Sequence, residues 1–378
     1  VNIANWAHDV QEHDQPAAAS GILTIDLQAL RRNYRRIAAA VAPAAAAAVV
    51  KANAYGLGAL QVSRALLEEG CRHFFVAEFS EALHLRPHLP DDAALFVLNG
   101  LQPGNETACA ANAITPVANS MEQLRNWCAL ALQNPATRFP LLLQFDTGMC
   151  RLGLQPGEWD DARERLAATP NAELLYVMSH LAAADEADSP LNGAQLGEMQ
   201  RVAAAFPGTP VCFSNSGGVF LGEAYRGALV RPGIALYGGL QTTGVANPGE
   251  PVVSLEVAIV QTRTVPAGAH IGYGGAHIAK TEMKLATIAA GYADGLPRSL
   301  SDRGAAYFDG HRLPIVGRVS MDSTIIDVSS LPEGTLKLGT MVEILGAHQT
   351  IDDVALAAGT ISYEILTSLG SRYRRRYC

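Results

Sequence analysis

The chain has 378 residues, more than one ordinary core organises, so two domains are expected, with room for a large barrel. Hydrophobic residues make up 49% and charged residues 17%, a globular balance that excludes a disordered chain. The net charge is −8, which argues against nucleic acid as a partner.

The first stretch, residues 1–19, contains Asp9, Glu12 and Asp14 and shows no apolar core of an export signal. No apolar run is long and uniform enough to span a bilayer, so no membrane partner is expected. The six cysteines, Cys71, Cys109, Cys128, Cys150, Cys212 and Cys378, have no paired spacing. They read as reduced thiols of a cytoplasmic protein, and no metal ligand set is apparent.

Residues 20–26 alternate enough for a strand, a candidate addition to a later β domain. Short apolar runs then recur at 46–51, 73–78, 94–99, 114–119, 141–146, 174–180, 211–216 and 229–237. Segments with i, i+3, i+4 apolar spacing lie between them, at 60–69, 121–132, 158–167 and 194–205. Eight buried runs alternating with helices predict an α/β fold, a (β/α)8 TIM-type barrel over residues 27–245. The alanines at 44–48 read as the start of a tightly packed barrel strand.

After residue 245 the texture changes. Residues 252–265 are β-branched and partly alternating, and strand candidates follow at 286–290, 307–308, 313–319, 324–328 and 341–345. This predicts a mainly antiparallel β domain over 246–378. A helical stretch at 351–358 begins at a cap-like Thr350. The charge run Arg372 to Arg376 reads as a solvated tail.

Seven of the apolar runs end in a polar residue, Lys51, Glu78, Asn99, Asn119, Asp146, His180 and Ser216, and the last carries Arg231 early in its course. A barrel collects such ends on one face, where barrel enzymes do their chemistry. Taken singly, Glu78, Asn99 and Asn119 are more simply strand exits. Lys51, His180 and Arg231 are of types that converge on one ligand. A desolvated lysine there is equipped to form a Schiff base with a carbonyl.

The chain resembles the alanine racemases through several motifs taken together. These are Val49 to Gly56 around Lys51 and Tyr55, Asp146 to Gly153 around Arg151, and Ser179-His180. They continue with Ser214-Asn215-Ser216, Val230 to Gly238 around Arg231, and Gly272-Tyr273-Gly274. The last are Gly291 to Gly295 with Arg298, Gly317 to Asp322 around Met321, and Ile361 to Glu364 around Tyr363.

The resemblance implies a pyridoxal 5'-phosphate enzyme, a fold-type III isomerase, with the cofactor in Schiff base to Lys51. It implies cofactor contacts from Tyr55, Arg151, His180, Asn215, Ser216, Arg231, Gly233, Ile234 and Tyr363. Substrate contacts would come from Arg151 and Met321, and an entryway from Tyr292 and Arg298. The implied reaction interconverts L- and D-alanine with two bases, Lys51 on the D-substrate face and Tyr273 on the L-substrate face. The implied assembly is a cytoplasmic homodimer with shared active sites. Its role would be D-alanine biosynthesis for peptidoglycan, or D-alanine catabolism.

The residue types suit that chemistry. A free amine titrates near pH 10.4, so burial and cations around Lys51 are expected to favour its neutral form. Arginine is donor-only and keeps its proton, so Arg231 facing a ring nitrogen makes a weaker electron sink than a carboxylate would. Arg151 has the fork shape that clamps a carboxylate.

Three positions depart from the family pattern. Gln144 stands where a carbamylated lysine is common, so Arg151 is expected to be held by the Gln144 amide oxygen, by a chloride, or by both. Leu57 replaces a common histidine, and Cys150 fills a variable position. The alternative reading is a racemase of broader scope, acting on serine. A fold-type III decarboxylase ranks behind it because such enzymes rely on a carboxylate where this chain has Arg231.

Overall fold

A computed structural model describes residues 19–244 and 246–378. The stretch read for an export signal falls outside them, except for its last residue. Among the described residues, no helix is long and apolar enough to cross a membrane. The chain forms two compact units. One comprises residues 24–254, 345–368 and 377–378, the other residues 19–23, 255–344 and 369–376.

Strand β1 is Gly21–Ile25. The parallel strands of the first unit follow it: β2 Ala45–Ala46, β3 Ala48–Val49, β4 His73–Val76, β5 Ala94–Val97, β6 Thr115–Ala118, β7 Phe139–Gln144, β8 Ala172–Met178, β9 Val211–Cys212 and β10 Leu229–Val230. Their order is β2-β10-β9-β8-β7-β6-β5-β4-β3. The path begins and ends on two segments of one chain stretch, split at Ala47, so nine strands make a nearly closed eight-stave barrel. Ala46, Ala47 and Ala48 are all buried, and small side chains let the closing stave pack tightly. Phe74, Phe75 and Phe96 fill the space beside it, the last two stacked at 4.6 Å.

The predicted helices appear as Ala59–Glu68, Met121–Gln133, Trp159–Ala167 and Pro190–Ala205. Met121–Gln133 shows how they form. Ser120 caps it by accepting from Gln123 N at 3.3 Å, and Met121, Leu124, Trp127, Cys128 and Ala131 make one buried stripe. Two late helices, Ile351–Ala358 and Ser362–Ser368, also belong to this unit. Thr350 caps the first, accepting from Asp353 N at 3.2 Å.

In the second unit, β11 is Val253–Val265, β12 His270–Ile271, β13 His277–Ile278, β14 Met283–Ile288, β15 Ala305–Phe308, β16 His311–Pro314, β17 Thr324–Asp327, β18 Met341–Leu345 and β19 Arg374–Tyr377. The main sheet runs β16-β15-β18-β11-β1-β19, and β14 joins β11 to β17. β1 therefore lies in this sheet. β12 and β13 form a separate antiparallel hairpin.

The basic run near the end is not a solvated tail. Tyr373 is buried, and Arg374–Tyr377 is the strand beside β1. Arg372 donates from Nε and Nη2 to the buried Asp294 carboxylate, at 2.5 and 2.7 Å, and from Nη1 to Asp322 at 2.7 Å. A carboxylate removed from water needs a cation and donors, and Arg372 supplies both.

Candidate active site

Lys51 follows β3 after one residue, Val50, at the carboxyl end of the barrel. The turn after it is left-handed: Ala52, Asn53, Ala54 and Tyr55 have φ of 52°, 54°, 52° and 57°. Such a conformation costs roughly 1–2 kcal/mol per non-glycine residue, so it persists only where neighbours hold it. Three contacts do so. Ala52 N donates to Glu81 Oε1 at 2.6 Å, and Asn53 Oδ1 accepts from Ala59 N at 2.8 Å. Gly56, at φ 85°, lets the Leu366 carbonyl of helix Ser362–Ser368 approach where a Cβ would clash. Burial, the largest cause, and the cations Arg151 and Arg231 lower the Lys51 pKa, while Glu81 raises it. The amine makes no hydrogen bond among the described residues.

Arg231 follows β10 and is 3% exposed. Nη1 donates to Cys212 O at 2.8 Å and to its sulfur at 3.1 Å. Nη2 donates to Ser179 O at 2.7 Å and lies 3.3 Å from both Phe213 O and His180 Nδ1. Strand-end carbonyls thus fix the guanidinium, and Nε has no protein acceptor among the described residues. His180 follows β8. Burial, then Arg231, Arg151 and Lys51, push its imidazole from 6.5 to about 3. It is therefore neutral at ordinary pH, and Arg231 is the cation in direct contact with it.

Gly233 and Ile234 continue from Arg231. Ser216 Oγ accepts from Gly233 N at 2.9 Å and Ala235 N at 3.2 Å, joining the β9 exit to this turn. The Ile234 N–H has no protein acceptor among the described residues. A Cβ at Gly233 would collide with the Tyr55 hydroxyl, so this position requires glycine. Tyr55 is buried, 4.8 Å from the ring of Tyr237 and 5.9 Å from that of Tyr363. Burial pushes its phenol well above the usual range, so it stays a hydrogen-bond donor. Asn215 caps locally instead, accepting from Gly218 N at 3.0 Å and donating to Leu181 O at 3.2 Å.

Arg151 rides a loop shaped by Asp146, whose Oδ1 accepts from Gly148, Met149 and Cys150 N–H groups at 2.9–3.0 Å. Its guanidinium is exposed and makes no hydrogen bond among the described residues. The expected direct tie to Gln144 is absent. The buried Gln144 carboxamide donates to Leu152 O at 3.3 Å, which fixes the loop backbone and leaves the arginine head unattached.

The second unit carries the remaining predicted residues. Tyr273 sits at the tip of the β12–β13 hairpin and is 68% exposed. Met321 is 52% exposed and Tyr292 45%. Tyr292 N donates to Ser320 O and Ala293 N to Met321 O, both at 3.0 Å, so the two loops form one surface. Arg298 opens the short helical turn Arg298–Leu300.

Two contributors went unnoticed in the sequence. Glu81 completes a capping box with Glu78, a pattern legible as Glu-x-x-Glu before an apolar helix. Gln195, fully buried, accepts from Ala182 N at 2.8 Å and donates to His180 O at 2.9 Å and Thr147 Oγ1 at 3.2 Å. It stitches the Arg151 loop to the His180 exit, and no local pattern announces it.

A barrel whose mouth gathers a desolvated lysine, a carbonyl-locked arginine and a glycine-lined turn, with an appended antiparallel sheet, defines a lysine-centred barrel enzyme. The family model described as alanine racemase, N-terminal domain, matches residues 25–241, and that for the C-terminal domain matches 252–377. A catabolic alanine racemase of Rhizobium johnstonii is 62% identical over 359 residues, covering 95% of each chain. An alanine racemase of Brucella abortus is 52% identical over 379 residues, covering 97% of this chain and 96% of that one. The crystal structure of alanine racemase from Bartonella henselae, with covalently bound pyridoxal phosphate, superposes with a TM-score of 0.91 at 44% identity, covering 95% of this chain and all of that one. The chain belongs to the alanine racemase family, isomerases that depend on pyridoxal phosphate.

Proposed function

We propose that this chain interconverts L- and D-alanine, with pyridoxal 5'-phosphate carried on Lys51 and with Lys51 and Tyr273 as bases on opposite faces. The observation that carries this reading is the gathering of Lys51, His180 and Arg231 at the exits of strands β3, β8 and β10, with Arg231 Nη2 3.3 Å from His180 Nδ1. The barrel residues suit the cofactor. The Ile234 N–H and the hydroxyls of Tyr55 and Ser216 border the turn at Gly233, which suits a phosphate. Arg231 Nε is a donor without a protein acceptor, which suits a ring nitrogen. When bound, the cofactor withdraws electrons from the substrate Cα and so acidifies its proton.

Lys51 then exchanges a proton at Cα on one face through Nζ, its neutral form favoured by burial and by Arg151 and Arg231. Tyr273 exchanges a proton on the other face through its phenol oxygen. Arg231, donor-only, limits electron withdrawal and disfavours side reactions. Arg151 and Met321 hold the substrate carboxylate, and Tyr292 and Arg298 line the entry. A chloride between Arg151 and Gln144 would attach the otherwise unheld guanidinium. A halide titration that leaves KM unchanged would remove that element.

The functional division is a cofactor barrel at 27–245 and a β domain at 246–378 that supplies Tyr273 and Met321 to a partner chain in a cytoplasmic homodimer. The exposure of those side chains supports this. A fully active monomer in sedimentation would defeat it. The catabolic name of the Rhizobium relative favours D-alanine catabolism over peptidoglycan supply. Two measurements test the whole. Visible colour lost on adding hydroxylamine reports the lysine-bound cofactor. Chiral chromatography after incubation with L-alanine or L-serine reports the reaction and its breadth, and no D-alanine from the loaded protein would reject the reading.

A further inference from the structure

We propose that Glu81 is a positioning residue for Lys51: its carboxylate ties the left-handed turn after the lysine to the end of the neighbouring strand, fixing where the amine sits at the barrel mouth. The inference rests on the reading of Lys51 as the cofactor lysine. Glu81 Oε1 accepts from Ala52 N, one residue beyond Lys51, at 2.6 Å. Glu81 Oε2 accepts from Ala77 N at 2.8 Å and Glu78 N at 3.0 Å, at the exit of β4. β4 pairs with β3, the strand that delivers Lys51. One side chain thus bridges two adjacent staves at their carboxyl ends, and its partner on the lysine side is the first residue of the left-handed turn.

The same carboxylate is the negative charge acting on the amine. Arg151 and Arg231 act on Lys51 with burial to lower its pKa, and Glu81 opposes them. Among the other titratable groups at this mouth, His180 is neutral at ordinary pH, and burial pushes the phenols of Tyr55 and Tyr363 up so that they keep their protons. Glu81 therefore joins a geometric task to an electrostatic one. A cap that served only its own helix would need neither the contact to Ala52 nor proximity to the amine.

The test is Glu81→Gln in the full chain loaded with cofactor. A carboxamide offers one acceptor oxygen and an NH2 group that cannot accept, so either the Ala52 or the strand-exit contact must break. Amide hydrogen exchange across residues 51–57, or at Ala77 and Glu78 if the one oxygen stays on Ala52, should speed up roughly tenfold or more. The acid limb of kcat against pH should move to lower pH, because removing the carboxylate lets Lys51 lose its proton sooner. Glu81→Asp keeps the charge on a shorter arm: it should speed exchange yet leave the acid limb nearer the parent, and it carries the test if the glutamine variant fails to fold. Unchanged exchange at 51–57 and at 77–78 with a superimposable pH profile would overturn the proposal, as would a lowered melting temperature with neither other change. If the parent chain itself showed no hydroxylamine-sensitive colour, the cofactor reading would fall, while the exchange comparison would still judge the tether.

Discussion

The two units prepare their chemistry in opposite ways. At the barrel mouth most cofactor-side groups, though not the Arg151 head, are locked from beneath: Arg231 donates to strand-end carbonyls, Ser216 Oγ accepts from Gly233 N, and Tyr55 is packed between Tyr237 and Tyr363. In the β unit the backbone is fixed but the side chains are not. Tyr273 stands exposed on the β12–β13 hairpin, and Met321 and Tyr292 stand exposed on loops held by backbone hydrogen bonds and by the Arg372 ion pairs. Preorganisation in the barrel suits a tightly held cofactor. A rigid loop with exposed aromatic and apolar tips suits a surface completed by another chain.

The largest expected effect comes from breaking the barrel half alone. Lys51→Ala should abolish the hydroxylamine-sensitive colour and lower kcat by at least about a thousandfold, since attachment and one base go together. Colour retained in that variant would place the cofactor on another amine.

Next comes the β half. Tyr273→Phe should leave the colour intact and lower racemisation by about 10²–10⁴-fold. The two enantiomers have equal free energies, so kcat/KM must fall equally in both directions, and rates alone cannot assign the face. Solvent isotope exchange can. D-Alanine should still exchange its α-proton through Lys51, whereas L-alanine should not. Exchange of both enantiomers at parent rates would break the two-base division.

Arg372→Ala sharpens the contrast, because it disturbs loop placement without touching a tip residue. Loss of the ties to Asp294 and Asp322 should raise KM before it lowers kcat, with a loss in kcat/KM of up to about a hundredfold. A fall in melting temperature with unchanged KM would make the ion pairs purely structural.

Legibility in the sequence follows the same divide. The barrel staves announced themselves because strands buried on both faces are continuous apolar runs, and their polar ends marked the mouth. The left-handed turn after Lys51 was hidden, since three of its four residues, Ala52, Ala54 and Tyr55, carry no preference for positive φ, and only the tertiary ties hold them there. The final strand was hidden for a different reason. Arg374, Arg375 and Arg376 look like a solvated run, and nothing local reveals that β1, some 350 residues earlier, lies beside them. Long-range pairing of this kind leaves no short-range pattern. Gln144 shows a third limit: its identity was plain, but its bond to Leu152 O, in place of Arg151, depends on loop geometry.

The smallest effect is a slope. His180 has a folded pKa of about 3 against 6.5 for an ordinary imidazole, through burial first and then Arg231, Arg151 and Lys51. The unfolded chain therefore binds a proton at this site through the window between those values, and the folded chain does not. The contribution of neutral His180 is complete above pH 6.5 and is lost progressively as pH falls toward 3. His180→Gln keeps a polar side chain and removes the titration. Denaturation midpoints measured from pH 7 to pH 4 should fall less steeply in the variant than in the parent, although the variant starts lower at pH 7 through the lost contact with Arg231. Parallel curves would mean that His180 titrates normally in the folded protein, and the picture of a buried neutral imidazole beside Arg231 would have to be given up.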